Sequence, residues 1–375
     1  MERVSEQLTP TDELFLQRAY ELAARGIGNT APNPPVGALI VREGRVVGEG
    51  YHHRAGDAHA ETYALAQAGS SARGATVYVS LEPCRHVGRT PPCTRSLIDA
   101  GVARVVAGTL DPTHPGGAEH LRESGIDVAV ANDATAQVLI ETFARVSLSD
   151  RPYVGLKMAM SLDGAVASRP GVRERLGSEA EVRYVRELRI AYDAVMVGAG
   201  TVRVDDPVLT VRPTHDRLRG YKRIVACASA PISGESRIFA RDEGYAATIV
   251  LAPAGLRDRF VELEVMAEVL YVGAPDAVAL DLRQAMKDLR ARGIFSVLCE
   301  GGPKLAASLI AGGFVDRVYW AIVPRFLANE AAVPVLAGTN LSLAEIQLRF
   351  DRVERAGDDV IISGILSRER CSADS

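Results

Sequence analysis

One constellation limits this chain more than any other feature: His59-Ala60-Glu61, then Pro83-Cys84, then Pro92-Cys93. An imidazole and two thiols are ligands that Zn²⁺ prefers, and three protein ligands leave a fourth tetrahedral position open for water. A carboxylate two residues from the histidine, Glu61, stands where a proton shuttle must stand, close to metal-bound water without ligating the metal. Such a set demands a fold that brings separate elements to one point. The two cysteines are eight residues apart in the gap Arg85 to Pro92, which carries Arg85, His86 and Arg89 and few acids.

The local pattern predicts how those elements are built. Thr9-Pro10-Thr11-Asp12-Glu13 is a helix start, with a Thr cap, Pro at the first helical position and acids in the first turn. Phe15, Ala19, Leu22 and Ala23 continue it at helical spacing, and Gly26 and Gly28 end it. Pro32-Asn33-Pro34-Pro35 reads as an ordered loop, because prolines join neither a helix interior nor a central ladder. Val36 to Val41 and Val46 to Val47 are expected strands around a Glu43-Gly44 turn. His59 opens a helix, Thr76 to Leu81 is a strand that delivers Glu82-Pro83-Cys84, and Cys93 opens the next helix, closed by Gly101. A cysteine near a helix N-terminus has its thiolate favoured by the dipole. Strand–helix alternation with the chemistry at element ends predicts an α/β sandwich.

The break at Ser149-Asp150-Arg151-Pro152 predicts a boundary, giving domains 1–150 and 151–375, which suits 375 residues. The second part restarts with a strand from Tyr153 to Met160, a Ser161-Leu162-Asp163-Gly164 turn and a helix from Ser178 to Ile190. Strands are then expected at Ala194 to Val197, Arg223 to Ala226, Ala247 to Leu251, Val269 to Val272 and Phe295 to Cys299. Gly198-Ala199-Gly200 and Gly301-Gly302-Pro303 follow two of these strands. Neither completes the dinucleotide fingerprint, but glycines at strand ends let backbone approach a phosphate. Two such ends together predict a cofactor cleft. Asp205-Asp206-Pro207 is an acidic turn, with a short strand expected after it, ending at Arg212.

A net charge of −4 gives no sign of a polyanion partner. No run is long and apolar enough for a membrane span, and the charged N-terminus lacks a signal-peptide pattern. Five cysteines are too few and uneven for a disulfide framework. A cytoplasmic protein is expected.

The constellation follows the H-x-E…P-C-x-x-C signature of zinc nucleobase deaminases, with the cysteine gap widened. It predicts hydrolytic deamination: zinc brings the pKa of water to about 7, hydroxide attacks an amidine-like ring carbon, and Glu61 carries the proton to ring nitrogen and to departing ammonia. Arg85, His86 and Arg89 suit a substrate phosphate, a solvated loop being the plainer reading. A structural zinc site would need a fourth ligand, for which His86 is the nearby candidate.

From about Thr11 to Ile365 the chain resembles the bacterial bifunctional riboflavin-biosynthesis deaminase–reductases. Pro32-Asn33-Pro34, Val36-Gly37, His52, His59-Ala60-Glu61 and Leu81-Glu82-Pro83-Cys84 through His86 and Gly88-Arg89-Thr90-Pro91-Pro92-Cys93 are similar to the deaminase half. Lys157, Ser161-Leu162-Asp163-Gly164, Gly200-Thr201-Val202, Asp205-Asp206-Pro207, Leu209-Thr210, Arg212, Glu300 and Gly302-Pro303 resemble the reductase half.

The resemblance implies a cytidine-deaminase-like α/β/α sandwich followed by a dihydrofolate-reductase-like α/β domain, with Zn²⁺ and NADPH as cofactors. It implies deamination of a diamino-ribosylaminopyrimidinone phosphate and then reduction of the ribosyl chain to ribityl. It implies a small-molecule pyrimidine ribose-phosphate substrate, a homo-oligomer, and neither nucleic-acid nor membrane partners. By position it places Asn33, His52 and Arg89 on the deaminase substrate. Lys157, Arg173, Arg189, Leu209, Arg212 and Glu300 fall on the reductase substrate, and Ala159, Arg175, Thr201, Asp205 and Gly302 on the cofactor.

The chain departs from the family at several points. Arg175-Leu176-Gly177 stands where members carry Trp-Ile-Thr or Trp-Ile-Ser, and Ala226-Cys227-Ala228 where a strand commonly ends Asp-Ser or Asp-Thr. Asp111-Pro112-Thr113 replaces Asp-Pro-Asn. Two alternatives follow: a paralogue with an intact deaminase and an altered or inactive reductase acting on a related pyrimidine, and a non-catalytic zinc-binding, nucleotide-sensing protein.

Overall fold

Thr9 caps the first helix as its sequence demands. Its hydroxyl accepts from the Asp12 N–H at 3.1 Å while the Asp12 carboxylate accepts from the Thr9 N–H at 3.0 Å, a reciprocal box worth about 1 kcal/mol. The computed structural model describes residues 8–86, 91–211, 220–240, 247–338 and 346–368. The chain divides into two units, Met1–Ser149 and Asp150–Ser375. Among the described residues no helix is long and apolar enough to cross a membrane.

In the first unit, helix α1 (Pro10–Ala24) precedes strands β1 (Gly37–Arg42) and β2 (Arg45–Tyr51). Helix α2 (Ala60–Ala68), β3 (Thr76–Val79), α3 (Cys93–Ala100), β4 (Arg104–Ala107), α4 (Gly117–Glu123), β5 (Asp127–Val130) and α5 (Ala134–Ser147) follow. The sheet order is β2-β1-β3-β4-β5. β1 is antiparallel to β2 and β3, while β3, β4 and β5 run parallel.

Alternation along the strands builds both faces. Ala38, Ile40, Val77 and Val79 pack with Ala60, Ala64, Leu97 and Leu121 of α2 to α4. Leu39, Val41 and Tyr78 pack with Leu16 and Tyr20 of α1 and Ala136 of α5. Each fully buried Leu or Ile contributes about 1.5–3 kcal/mol. The result is the expected α/β/α sandwich, and it sets the start of α2, the end of β3 and the start of α3 side by side. The strand expected to Leu81 ends at Val79, where the chain turns to present Cys84.

The second unit contains β6 (Tyr153–Met160), β7 (Ala165–Ala167), α6 (Glu179–Ile190), β8 (Ala194–Gly198), α7 (Ala199–Asp205), β9 (Lys222–Ala226), β10 (Thr248–Pro253) and β11 (Glu268–Val272). These are followed by α8 (Leu282–Ala291), β12 (Ser296–Cys299), α9 (Pro303–Ala311), β13 (Arg317–Ile322), β14 (Val333–Pro334), β15 (Ile346–Ala356) and β16 (Asp359–Arg368). Its main sheet has the order β11-β10-β9-β8-β12-β6-β13-β16-β15, and β7 pairs with β14.

The strands from β11 to β13 are parallel, and β16 and β15 are added antiparallel. From β6 the chain skips one place to β8, builds outward to β11, and returns to fill the gap with β12. That reversal is a topological switch point, where open parallel sheets bind ligands beyond their strand ends.

The glycine-rich stretch after β8 leads directly into helix α7. One expectation fails locally. The short strand expected after Pro207 is absent from the described residues up to Val211. Leu209 sits at φ +50° and Asp206 at φ +40°, and left-handed backbone cannot continue a strand.

Candidate active sites

His59 is the N-cap of α2 yet makes no side-chain bond to the helix it caps. Its imidazole turns instead to sulfur, with Nδ1 3.1 Å from Cys93 Sγ and 3.5 Å from Cys84 Sγ. Cys93 begins α3, and its N–H donates to Cys84 Sγ at 3.4 Å. The three donor atoms lie within 4.8 Å of one another. Bonds of about 2.0–2.3 Å around tetrahedral zinc space its ligands about 3.5–3.8 Å apart, so donor type and spacing both fit. Among the described residues His86 does not join this group; its exposed ring lies 4.6 Å from that of His114.

Two thiolates this close repel, and until a divalent cation offsets that repulsion the pair keeps a proton. The hydrogen bond between the thiols holds Cys84 well below the ordinary thiol range and pushes Cys93 above it. Hydrogen bonding to Cys84 raises His59. Glu61, one residue inside α2, is 4% exposed, and burial lifts its carboxyl above the usual carboxylate range.

Asn33 and His52 meet beside this cluster. The Asn33 amide lies 3.1 Å from His52 Nε2, and His52 Nδ1 lies 3.0 Å from the Ala58 carbonyl. The His52 and His59 rings meet edge to face at 5.6 Å. Burial lowers the His52 pKa.

Glu82 has a part that the motif alone did not reveal. Its Oε1 accepts from the N–H groups of Gly116 and Ala118 at 3.1 and 2.7 Å, and its Oε2 from Asp111 at 2.9 Å. This buried carboxylate ties the turn before Cys84 to the start of α4. Arg89 lies outside the described residues.

The second unit holds a two-lobed cleft at its switch point. One lobe, of about 560 Å³, is lined by Lys157, Arg173, Arg189, Leu209 and Glu300 among others. The other, of about 960 Å³, is lined by Ala159, Gly200, Gly302 and Lys304 among others. Arg175, Thr201 and Asp205, like Lys157 and Glu300, border both lobes. Every described residue expected in the second site is thus in one cleft; Arg212 lies outside the described residues.

Arg189 grips Glu300 at two points, Nε to Oε1 at 2.6 Å and Nη2 to Oε2 at 2.7 Å, and also donates to the Thr210 carbonyl at 3.3 Å. Burial opposes its charge, but Glu300 more than offsets that and raises its pKa. Burial raises Asp205, with Arg173 opposing. A Cβ on Gly302 would stand 3.3 Å from Thr201 Oγ1, so glycine keeps that approach between the starts of α9 and α7 uncrowded. The larger lobe is near the top of the about 300–1,000 Å³ range of ligand and cofactor sites, which fits a dinucleotide. Glu181 also lines both lobes, which the Glu- and Arg-rich composition of α6 had concealed. Its only sequence signal is a spacing of two helical turns from Arg189.

Residues 152–362 match the RibD C-terminal domain, and residues 9–109 the cytidine and deoxycytidylate deaminase zinc-binding region. The chain is 36% identical over 357 residues to the riboflavin biosynthesis protein RibD of Aquifex aeolicus, covering 94% of this chain and 97% of that protein. It is 36% identical over 370 residues to the RibD of Escherichia coli, covering 94% and 98%. Among solved structures, Acinetobacter baumannii RibD superposes with a TM-score of 0.77 at 32% identity, covering 96% of this chain and 99% of that one. A diaminohydroxyphosphoribosylaminopyrimidine deaminase/5-amino-6-(5-phosphoribosylamino)uracil reductase from Thermotoga maritima gives 0.78 at 31% identity, covering 96% and 99%.

Proposed function

The chain belongs to the RibD family of riboflavin-biosynthesis proteins, and from that premise we propose how its residues divide the work. It is an enzyme of riboflavin biosynthesis with deaminase and reductase activities, using zinc and NADPH. We assign deamination to residues 1–150 and reduction to residues 151–375. The first converts 2,5-diamino-6-(5-phosphoribosylamino)pyrimidin-4(3H)-one to the corresponding uracil, and the second reduces the ribosyl side chain to ribityl.

The observation that carries the deaminase reading is a buried carboxyl, Glu61, set against a His–Cys–Cys donor triad with no fourth protein donor among the described residues. His59, Cys84 and Cys93 hold zinc, which when bound lowers the pKa of water and makes it nucleophilic at neutral pH. Glu61 accepts the proton released as oxygen bonds to the amino-bearing ring carbon. It passes protons to the ring nitrogen and to the amino group, which leaves as ammonia when the carbon–nitrogen bond breaks. Its raised pKa suits a group that must both take and give a proton. Asn33 and His52 orient the pyrimidine edge, and the positive charges of Arg85 and Arg89, with His86, serve the phosphate.

In the reductase, Ala159, Arg175, Thr201, Asp205 and Gly302 hold NADPH, which supplies a hydride when bound. Lys157, Arg173, Arg189, Leu209, Arg212 and Glu300 hold the product of the first reaction. The Lys157 ammonium gives a proton to the ribose ring oxygen as its bond to the anomeric carbon opens, and that carbon would take the hydride as its new C–H bond.

A diverged paralogue or a non-catalytic sensor is not favoured, since the similarity runs through both halves. The proposal includes a cytoplasmic location and a homo-oligomer. A coupled assay on the purified, zinc-loaded protein tests the whole: ammonia released from the pyrimidine phosphate, then NADPH oxidised only once deaminated product is present. Failure of Glu61→Gln to abolish ammonia release while zinc is retained would remove the deaminase mechanism.

A further inference from the structure

One buried carboxylate in the reductase cleft has no part in the mechanism above. Glu181 lies in the first turn of α6 with its side chain 5% exposed, and it pairs with the ammonium of Lys157 on β6. Eight residues later on the same helix, Arg189 takes both oxygens of Glu300. Residues two turns apart share a helix face, and each of these two meets an opposite charge from the sheet side, Lys157 and Glu300. Glu300 is thereby satisfied by a single guanidinium, and Glu181 is the counterion left to Lys157.

The backbone before the helix is shaped around this pair. A Cβ on Gly177 would lie 2.4 Å from Glu181 Oε2 and 2.8 Å from its carboxyl carbon. Any side chain at position 177 would therefore make the carboxylate shift from the place where it meets Lys157. Leu176 beside it is buried and Ser178 caps the helix through the Glu181 N–H at 3.2 Å, so the backbone at 177 has little room to yield.

We propose that Glu181 is a positioning residue for the reduction and that position 177 is a glycine in order to admit its carboxylate. Glu181 fixes the direction of the Lys157 side chain, so that the ammonium addresses the substrate lobe. Without that anchor the ammonium is drawn to the other acids bordering the cleft, Glu174, Asp205, Asp206 and Glu300, and competes with Arg189 for the last of them. This inference rests on the assignment of Lys157 to the reductase site.

The test uses the full-length, zinc-loaded protein, with NADPH oxidation on supplied deaminated pyrimidine ribosyl phosphate as readout and ammonia release as the control for folding. Glu181→Gln keeps the size and removes the charge; reductase kcat is expected to fall tenfold or more, with the KM for NADPH within twofold and ammonia release unchanged. Glu181→Asp keeps the charge and should recover most of that loss. Gly177→Ala keeps both charges but displaces the carboxylate, and should lower kcat in the same way; it decides the matter if Glu181→Gln does not fold. The proposal is overturned if Glu181→Gln and Gly177→Ala both stay within twofold of the unaltered protein while Lys157→Met abolishes reduction. It is equally overturned if the Asp and Gln variants lose the same activity together with thermal stability. Should Lys157→Met reduce at the normal rate, the assignment of the reductase site itself falls.

Discussion

The Asn33 carboxamide meets His52 Nε2 at 3.1 Å, on the opposite side of the ring from the Ala58 carbonyl at 3.0 Å from Nδ1. A carbonyl oxygen only accepts, so Nδ1 carries the proton and Nε2 accepts from the amide. Burial, which lowers the His52 pKa, acts in the same direction and keeps the ring neutral. The sequence has thus placed a fixed, uncharged imidazole beside the zinc ligands.

Asn33→Ala removes the donor and leaves a buried Nε2 unsatisfied, a loss of about 1–3 kcal/mol. Deaminase kcat/KM should fall roughly ten- to a hundredfold. NADPH oxidation on supplied deaminated product should be unchanged. Parallel assays of the two half-reactions check this, and an equal loss in both would contradict it.

Zinc and Glu61 should separate cleanly. Cys84→Ser or chelation is expected to abolish ammonia release and to empty the site by elemental analysis. Glu61→Gln should keep one zinc per chain while losing roughly 10²–10⁴ in kcat, the range of a positioned proton carrier. Loss of zinc from Glu61→Gln would mean that the carboxylate supports the metal rather than the proton transfer.

Much of this was legible because the deaminase site is built at element ends, which local residues announce. Thr9-Pro10 marks the start of α1, and Cys93 begins α3 directly after Pro92. Other features depend on contacts that no local pattern encodes. Val208, Thr210 and Val211 carry strand propensity, yet the left-handed backbone at Asp206 and Leu209 bends the segment into the wall of the cleft. Helix α4 has only seven residues, and the Glu82 carboxylate that holds its start lies 34 residues upstream of Gly116. The C-terminal hairpin of β15 and β16 hides for a different reason: Ile346, Leu348 and Phe350 alternate, but the register shifts between Phe350 and Arg352 and the strand runs on through mostly charged residues. Glu181 looks like one more charge on a solvated helix until Lys157 is seen against it.

The Arg189–Glu300 pair should matter to both stability and reduction. Its side chains are 16% and 13% exposed, so removing one partner strands the other in a poorly solvated place, at a cost of about 3 kcal/mol. Arg189→Met is expected to lower the thermal transition of the reductase unit by about 6–10 °C and to abolish NADPH oxidation, while ammonia release persists below that temperature. Calorimetry beside the two assays reads all three.

The last expectation concerns acid. Asp12 is 1% exposed and is held at a pKa of about 2, against an ordinary 3.8. Burial alone would raise it. The Thr9 N–H, Arg104 at 2.8 Å and the Tyr78 hydroxyl at 2.8 Å outweigh that. Because the folded value is depressed, the unfolded chain binds the proton first. Asp12 therefore stabilises the deaminase unit above about pH 4, and this contribution disappears as pH falls from about 4 to about 2. Arg104 is 25% exposed, so screening trims the effect to about 1–2 kcal/mol. Asp12→Asn should lower stability by that amount at neutral pH and flatten the decline between pH 4 and 2. The sole tryptophan, Trp320, lies in the other unit, so its fluorescence is blind to this event. Hydrogen exchange at the α1 and β3 amides is the measurement, and unchanged acid sensitivity in the variant would assign the transition to another carboxylate.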